Sequence, residues 1–142
     1  MLSGQTAYGK RRKYDHMKPG DVAIWERFIE KYPDAYTSVI YDLSLGQGST
    51  IPDGTPDNLA KDFRLLGQRK IDVVGIKDDN IDIIEVKPNA GPSAVGQILN
   101  YIELYKGYID PEKKPNALIV TDQQQRDMSQ LAFNFGIKVI QV

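Results

Sequence analysis

With 142 residues, 41% of them hydrophobic and 26% charged, the chain has the size and composition of a single globular domain, expected to span residues 1–142. It has no cysteine, one histidine (His16), no apolar signal core and no apolar run near the roughly 20 residues a membrane-spanning helix needs. Disulfides, thiolate zinc sites, a cysteine nucleophile and His-rich metal motifs are thereby excluded, and a soluble, intracellular (cytoplasmic) protein without membrane contact is expected. The net charge of −1 announces no polyanionic partner, so the distribution of charge carries more information than its sum.

Along the chain, Lys10, Arg11, Arg12 and Lys13 form a basic group within residues 1–18, expected to be a flexible arm able to meet phosphates. Pro19-Gly20-Asp21 reads as a turn and helix cap, and Val22, Trp25, Phe28, Ile29 and Tyr32 follow at helical spacing up to Pro33. Tyr36 to Leu43 has strand composition, and Ser44 to Asp57, with three glycines and two prolines, predicts a long loop beside a site, suited to touching substrate. A short helix is expected over Leu59–Leu66, and Arg64, Arg69 and Lys70 form a second basic group.

Two nearly continuous Val and Ile runs follow, Ile71 to Ile76 and Ile81 to Val86, around the polar turn Lys77-Asp78-Asp79-Asn80. This is a hairpin of strands covered on both faces. Closed symmetrically about Asp78 and Asp79, its paired residue numbers sum to 157, which sets Asp72 opposite Glu85. Opposed side chains have Cβ atoms roughly 4.5–5.5 Å apart, and at an effective dielectric of about 20 two carboxylates there repel by about 3 kcal/mol. A bound divalent cation relieves that repulsion, and all-oxygen ligands suggest magnesium or manganese. Lys87 lies on the same strand face as Glu85, so its ammonium points at whatever the cation holds. Such an arrangement suits phosphodiester hydrolysis. Asp82 alternates to the opposite face from Glu85 and stays outside the site.

Pro88 to Pro92 breaks the second strand and opens a helix over Ser93–Tyr108 with Val95, Ile98, Leu99, Ile102 and Tyr105 as its core stripe. A short strand at Ala117–Val120, a helix capped by Asp122 and running to Phe135, and a final strand at Ile137–Val142 complete the order α-β-β-β-α-β-α-β. A mixed sheet flanked by helices is predicted, its strand-helix-strand units being parallel crossovers.

Asp72, followed after twelve residues by Glu85-Val86-Lys87, resembles the D-(x)n-E-x-K signature of the PD-(D/E)XK nuclease superfamily, and the element order is similar to its restriction-endonuclease-like α-β-β-β-α-β core. Gln97-Ile98-Leu99-Asn100-Tyr101 is similar to the Q-h-x-x-Y motif of the RecB-like branch. The chain departs from the pattern in having Ile71, not proline, before Asp72. The resemblance implies an α/β fold of that class, with Asp72, Glu85 and the Val86 carbonyl holding Mg2+ or Mn2+ and Lys87 assisting the attacking water. It also implies that Gln97 and Tyr101 share a face turned from the apolar stripe and touch the lysine, nucleophile or phosphate, and that Glu26 supplies an acid from the first helix. Arg69, Lys70 and the basic arm are the expected DNA contacts. The activity implied is a divalent-metal-dependent DNA nuclease, acting as a homodimer or as a component of a larger DNA-processing complex, with two alternatives: a homodimeric Holliday-junction resolvase, or a catalytically inactive nuclease-fold module that binds nucleic acid.

Overall fold

In the computed structural model, which describes residues 4–14, 17–45, 54, 56–57 and 69–142, the chain runs β1 (Thr6–Ala7), α1 (Pro19–Lys31), β2 (Ser38–Leu45), β3 (Arg69–Lys77), β4 (Asn80–Val86), α2 (Pro92–Tyr108), β5 (Asn116–Thr121), α3 (Met128–Asn134) and β6 (Lys138–Gln141). The six strands form one sheet in sequence order, antiparallel from β1 to β4 and parallel from β4 to β6. This is the expected mixed α/β architecture, a sheet flanked by helices, with one strand added at the edge. Most of the segment expected as a long loop, and the expected helix at Leu59–Leu66, lie outside the described residues.

The hairpin closes in the register its turn dictates: Val73 faces Ile84, Val74 faces Ile83 and Ile76 faces Ile81. Each neighbouring pair points to a different face, so both faces need cover. Val74 and Ile83 pack with Ala94, Ile98, Tyr105 and Met128 beneath α2 and α3, whereas Val73 and Ile84 pack with Ile24, Trp25 and Phe28 beneath α1. At roughly 1.5–3 kcal/mol per fully buried large apolar side chain, these two layers supply the main drive to fold.

Three expectations of local structure give way to tertiary contacts. The basic segment expected as a flexible arm is pinned where it is described: Thr6 and Ala7 pair with Val39 and Ser38, and Tyr14 is buried in the α1 layer. Helix α1 begins at Pro19, whose ring presets the first helical φ, so Asp21 lies in the first turn and is not the cap. Helix α3 begins only at Met128, because Asp122 accepts the Asn89 N–H at 2.8 Å while Ala90 bonds to Gln123 and Gln125, stitching the β4–α2 connection to the segment after β5.

Gly75 shows how tightly the α1 layer is packed. A Cβ there would lie 2.5 Å from the Tyr36 ring, whose hydroxyl is anchored on Asp82 at 2.6 Å. Gly75→Ala is therefore expected to destabilise the protein by about 2–3 kcal/mol in a urea titration, since the ring cannot move without breaking that bond. An unchanged midpoint would mean that Tyr36 is not held over Gly75.

Candidate active site

The side-chain alternation of β2 and β3 breaks at one point. In β2, Val39 packs in the α1 layer and Ile40 in the α2 layer, yet Leu43 and Leu45 beyond Asp42 both join the α2 layer; in β3, Val73 and Ile71 likewise fall on opposite faces. Asp42 has φ 57°, and the pairs Tyr41–Val73 and Leu43–Ile71 set it beside Asp72. Kinks of this kind re-aim side chains. Here the kink coincides with the first acid of the expected pair.

Asp72 and Glu85 lie one residue beyond the Val73–Ile84 pair and share a side-chain hydrogen bond. Asp72 accepts the Val86 N–H through Oδ2 at 3.0 Å, which fixes its carboxylate against the end of β4. Glu85 is only 6% exposed, and its Oε2 is buried without a hydrogen-bond partner among the described residues. Burial raises the Glu85 carboxyl to about 8, with the Asp72 charge and a hydrogen bond to Asp72 adding to the shift and Lys87 opposing it. Burial likewise raises Asp72 to about 6, against the pull of the Val86 N–H. The two acids thus titrate as one coupled unit, both displaced upward by burial.

The half-buried Lys87 adjoins this pair, its backbone N–H donating to the Val120 carbonyl at 3.0 Å. Asp21 is the residue that reasoning from the sequence missed. Its charge raises both Asp72 and Glu85, while the Lys87 charge acts on Asp21 in turn, because Gly20 packs near Pro88 and brings the start of α1 to the end of β4. Glu26, the expected helix acid, instead accepts the Tyr14 hydroxyl at 3.1 Å further along α1. Only its position in the first turn, where acids favour the helix dipole, set Asp21 apart in the sequence.

The Gln97–Tyr101 pair does not take the expected arrangement. Tyr101 is buried in the α2 layer with Ile71 and Leu45, on the apolar face and not turned from it, while Gln97 is exposed. Tyrosine at this helical phase carries enough apolar surface to serve as core. Gln97 makes no hydrogen bond to Asp72, Glu85 or Lys87.

Of the expected basic contacts, Arg11 and Lys70 converge on neighbouring residues of β2. The Arg11 guanidinium lies 5.6 Å from the Tyr41 ring centroid, and Lys70 pairs with Asp42 at 3.4 Å, both flanking the kink beside Asp72. Lys10 is drawn away to an ion pair with Glu30. Arg12 and Lys13 are exposed, and the side chain of Arg69 lies outside the described residues.

The donor set suits a hard divalent cation. Two carboxylates, one with an orphaned buried oxygen, provide what magnesium asks of a protein: one or two acidic ligands, with water and substrate completing the shell. Among the described residues no three His, Cys, Asp or Glu side chains gather into a metal cluster, so Asp21 acts on this pair by charge from outside it. No helix among the described residues is long and apolar enough to cross a membrane.

No protein-family model and no curated protein matches this sequence. Solved structures do match. A repair endonuclease from Pyrococcus abyssi superimposes with a TM-score of 0.50 at 17% identity, over 93% of this chain and 49% of that one. An EndoMS–dsDNA2 complex gives 0.50 at 18% identity, over 94% and 49%. The chain thus spans about half the length of the solved structures it matches, and what it shares with them is the α/β fold with its mixed six-stranded sheet and flanking helices.

Proposed function

We propose that this protein is a divalent-metal-dependent DNA nuclease that hydrolyses phosphodiester bonds at the Asp72–Glu85–Lys87 site. The observation that carries the reading is the buried, unpartnered Oε2 of Glu85, a carboxylate that interacts with Asp72, a feature that costs stability unless a cation is bound. Asp72 and Glu85, with the Val86 carbonyl, would hold Mg2+ or Mn2+. When bound, such an ion supplies a water of lowered pKa and polarises the scissile phosphate.

The chain's own groups do the rest. The Val86 N–H keeps the Asp72 carboxylate aimed at the ion site, and the Lys87 ammonium donates to the attacking water or a non-bridging phosphate oxygen, offsetting charge as the water–phosphorus bond forms and the phosphorus–oxygen ester bond breaks. Arg11 and Lys70 flank the same end of the sheet and are suited to the DNA backbone on either side of the cut. A repair endonuclease and an EndoMS–dsDNA complex share this fold, which agrees with a DNA substrate.

Cleavage of supercoiled, linear and branched DNA with Mg2+ or Mn2+ tests the reading. Asp72→Ala and Lys87→Ala are each expected to lose at least ~10²-fold in rate while still binding DNA. Binding without cleavage by every form, the unaltered chain included, would instead assign an inactive DNA-binding module. Because Asp21, and not Glu26, shares the field of the acid pair, Asp21→Asn is expected to weaken Mn2+ binding by about 5–10-fold in calorimetry, with Glu26→Gln unchanged.

A further inference from the structure

Two neighbouring residues of α1 hold Arg11 at both of its ends. Glu26 accepts the Tyr14 hydroxyl at 3.1 Å, and that same hydroxyl accepts the Arg11 backbone N–H at 3.0 Å. Trp25 donates its indole N–H to the Tyr41 hydroxyl at 2.9 Å, and the Arg11 guanidinium lies over the Tyr41 ring. The Tyr14 ring closes the set, meeting Tyr41 edge to face with centroids 5.6 Å apart. Burial raises the Tyr14 hydroxyl to about 12, so it stays protonated and donates to Glu26 at any ordinary working pH.

The whole segment is fastened in the same way. The Tyr8 hydroxyl donates to the Tyr32 carbonyl at 2.7 Å, Lys10 pairs with Glu30 and Tyr14 reaches Glu26, so residues 8–14 run antiparallel along α1. These contacts sort the cations. Lys10 is neutralised by Glu30 and Lys70 by Asp42, whereas among the described residues no carboxylate lies within ion-pair distance of the exposed Arg11. Tyr41, on which Arg11 rests, precedes the kink at Asp42 that adjoins Asp72. A guanidinium over a ring retains N–H donors for a phosphate. A long side chain that must be ordered on binding loses affinity to entropy, and one already ordered by the fold does not.

We propose that Tyr14 and Glu26 are positioning residues of the DNA grip, a relay that presets Arg11 to take one backbone phosphate beside the acid pair. Glu26 then acts on DNA through Tyr14 and Arg11, and not on the metal, a role that rests on the DNA-cleaving site proposed above.

Fluorescence anisotropy of a short DNA duplex in Mg2+, with the full chain carrying Glu85→Gln to block cleavage, measures the grip alone. Arg11→Ala is expected to weaken binding about 10-fold and to lower the slope of log affinity against log salt by about 0.9, the share of one phosphate. Tyr14→Phe, which keeps the buried ring, and Glu26→Ala should each weaken it about 3–5-fold. Glu26→Gln, whose amide oxygen still accepts the hydroxyl, should stay within about 2-fold of the starting affinity. In the Arg11→Ala background Tyr14→Phe should have no further effect, because the relay works only through Arg11. With Glu85 restored, Tyr14→Phe should raise KM for cleavage and leave kcat unchanged. Additive losses from Tyr14→Phe and Arg11→Ala, or an unchanged affinity for Tyr14→Phe, would overturn the relay while leaving cleavage at the acid pair intact. Coupled losses of binding in a chain that never cleaves would sustain the relay and overturn only the hydrolytic reading, and a chain that binds no DNA would overturn both.

Discussion

Replacing Glu85 with glutamine is expected to raise the thermal midpoint of the metal-free protein at pH 8 while removing its metal-dependent cleavage. The glutamate is buried beside Asp72 with an unpartnered oxygen, and burial and the neighbouring charge both disfavour its ionised form. Glutamine keeps the shape, removes the repulsion and offers an N–H that Asp72 can accept. Relief of about 1–3 kcal/mol corresponds to a rise of roughly 3–10 °C for a domain of this size. The same change deletes an anionic ligand, so cleavage should fall by about 10³-fold or more. Calorimetry in EDTA beside a plasmid-nicking assay measures both. A lower midpoint with cleavage retained would mean that Glu85 serves packing alone. The opposed signs are the informative part, because an acid kept only for the fold would not destabilise it.

The hairpin was legible in the sequence because two local rules agree there: a two-residue turn fixes the register, and the period of two fixes the faces. That arithmetic carries the pairing as far as Val73 and Ile84, and the kink beside Asp42 with the Val86 N–H bond then aims Asp72 at the end of β4. Helix α2 was legible in extent and in its apolar stripe, Val95, Ile98, Leu99, Ile102 and Tyr105 all packing in one layer; only Tyr101, set apart from that stripe by its resemblance to a motif position, belongs to the core with them. The choice between Asp21 and Glu26 turns on which end of α1 meets the sheet, and periodicity reports the face of a helix, never its end. That end is set by the approach of Gly20 to Pro88, a contact between residues far apart in sequence. Asp122 is a similar case. Its capping signal is genuine, but the Ala90–Gln124 bridge holds the chain extended through this stretch and turns Asp122 to the β4–α2 loop. A two-residue strand such as β1 leaves no pattern to read.

The coupled acids also predict how stability depends on pH and on metal. Glu85 in the folded protein is raised to about 8 and Asp72 to about 6, from ordinary values of 4.5 and 3.8. A carboxyl raised by folding makes the native state bind more protons than the unfolded chain between its two values, so stability falls as pH rises through that window. The metal-free protein is therefore expected to be most stable near pH 5 and to lose on the order of 2–4 kcal/mol by pH 8, the opposite of a domain held by ordinary surface ion pairs. Lys87 moderates the loss, since its charge favours ionised Glu85. Added Mn2+ competes with the proton for the same oxygens, so it should stabilise strongly at pH 8, by about 2.7 kcal/mol at 100 times its dissociation constant, and hardly at all at pH 5. Urea titrations at both pH values, with EDTA or Mn2+, measure all four states. Equal stabilisation by Mn2+ at the two pH values would place the ion elsewhere, while a flat profile without metal would show that water already reaches Glu85 Oε2 and that the pair is not the desolvated trap on which cation binding here depends.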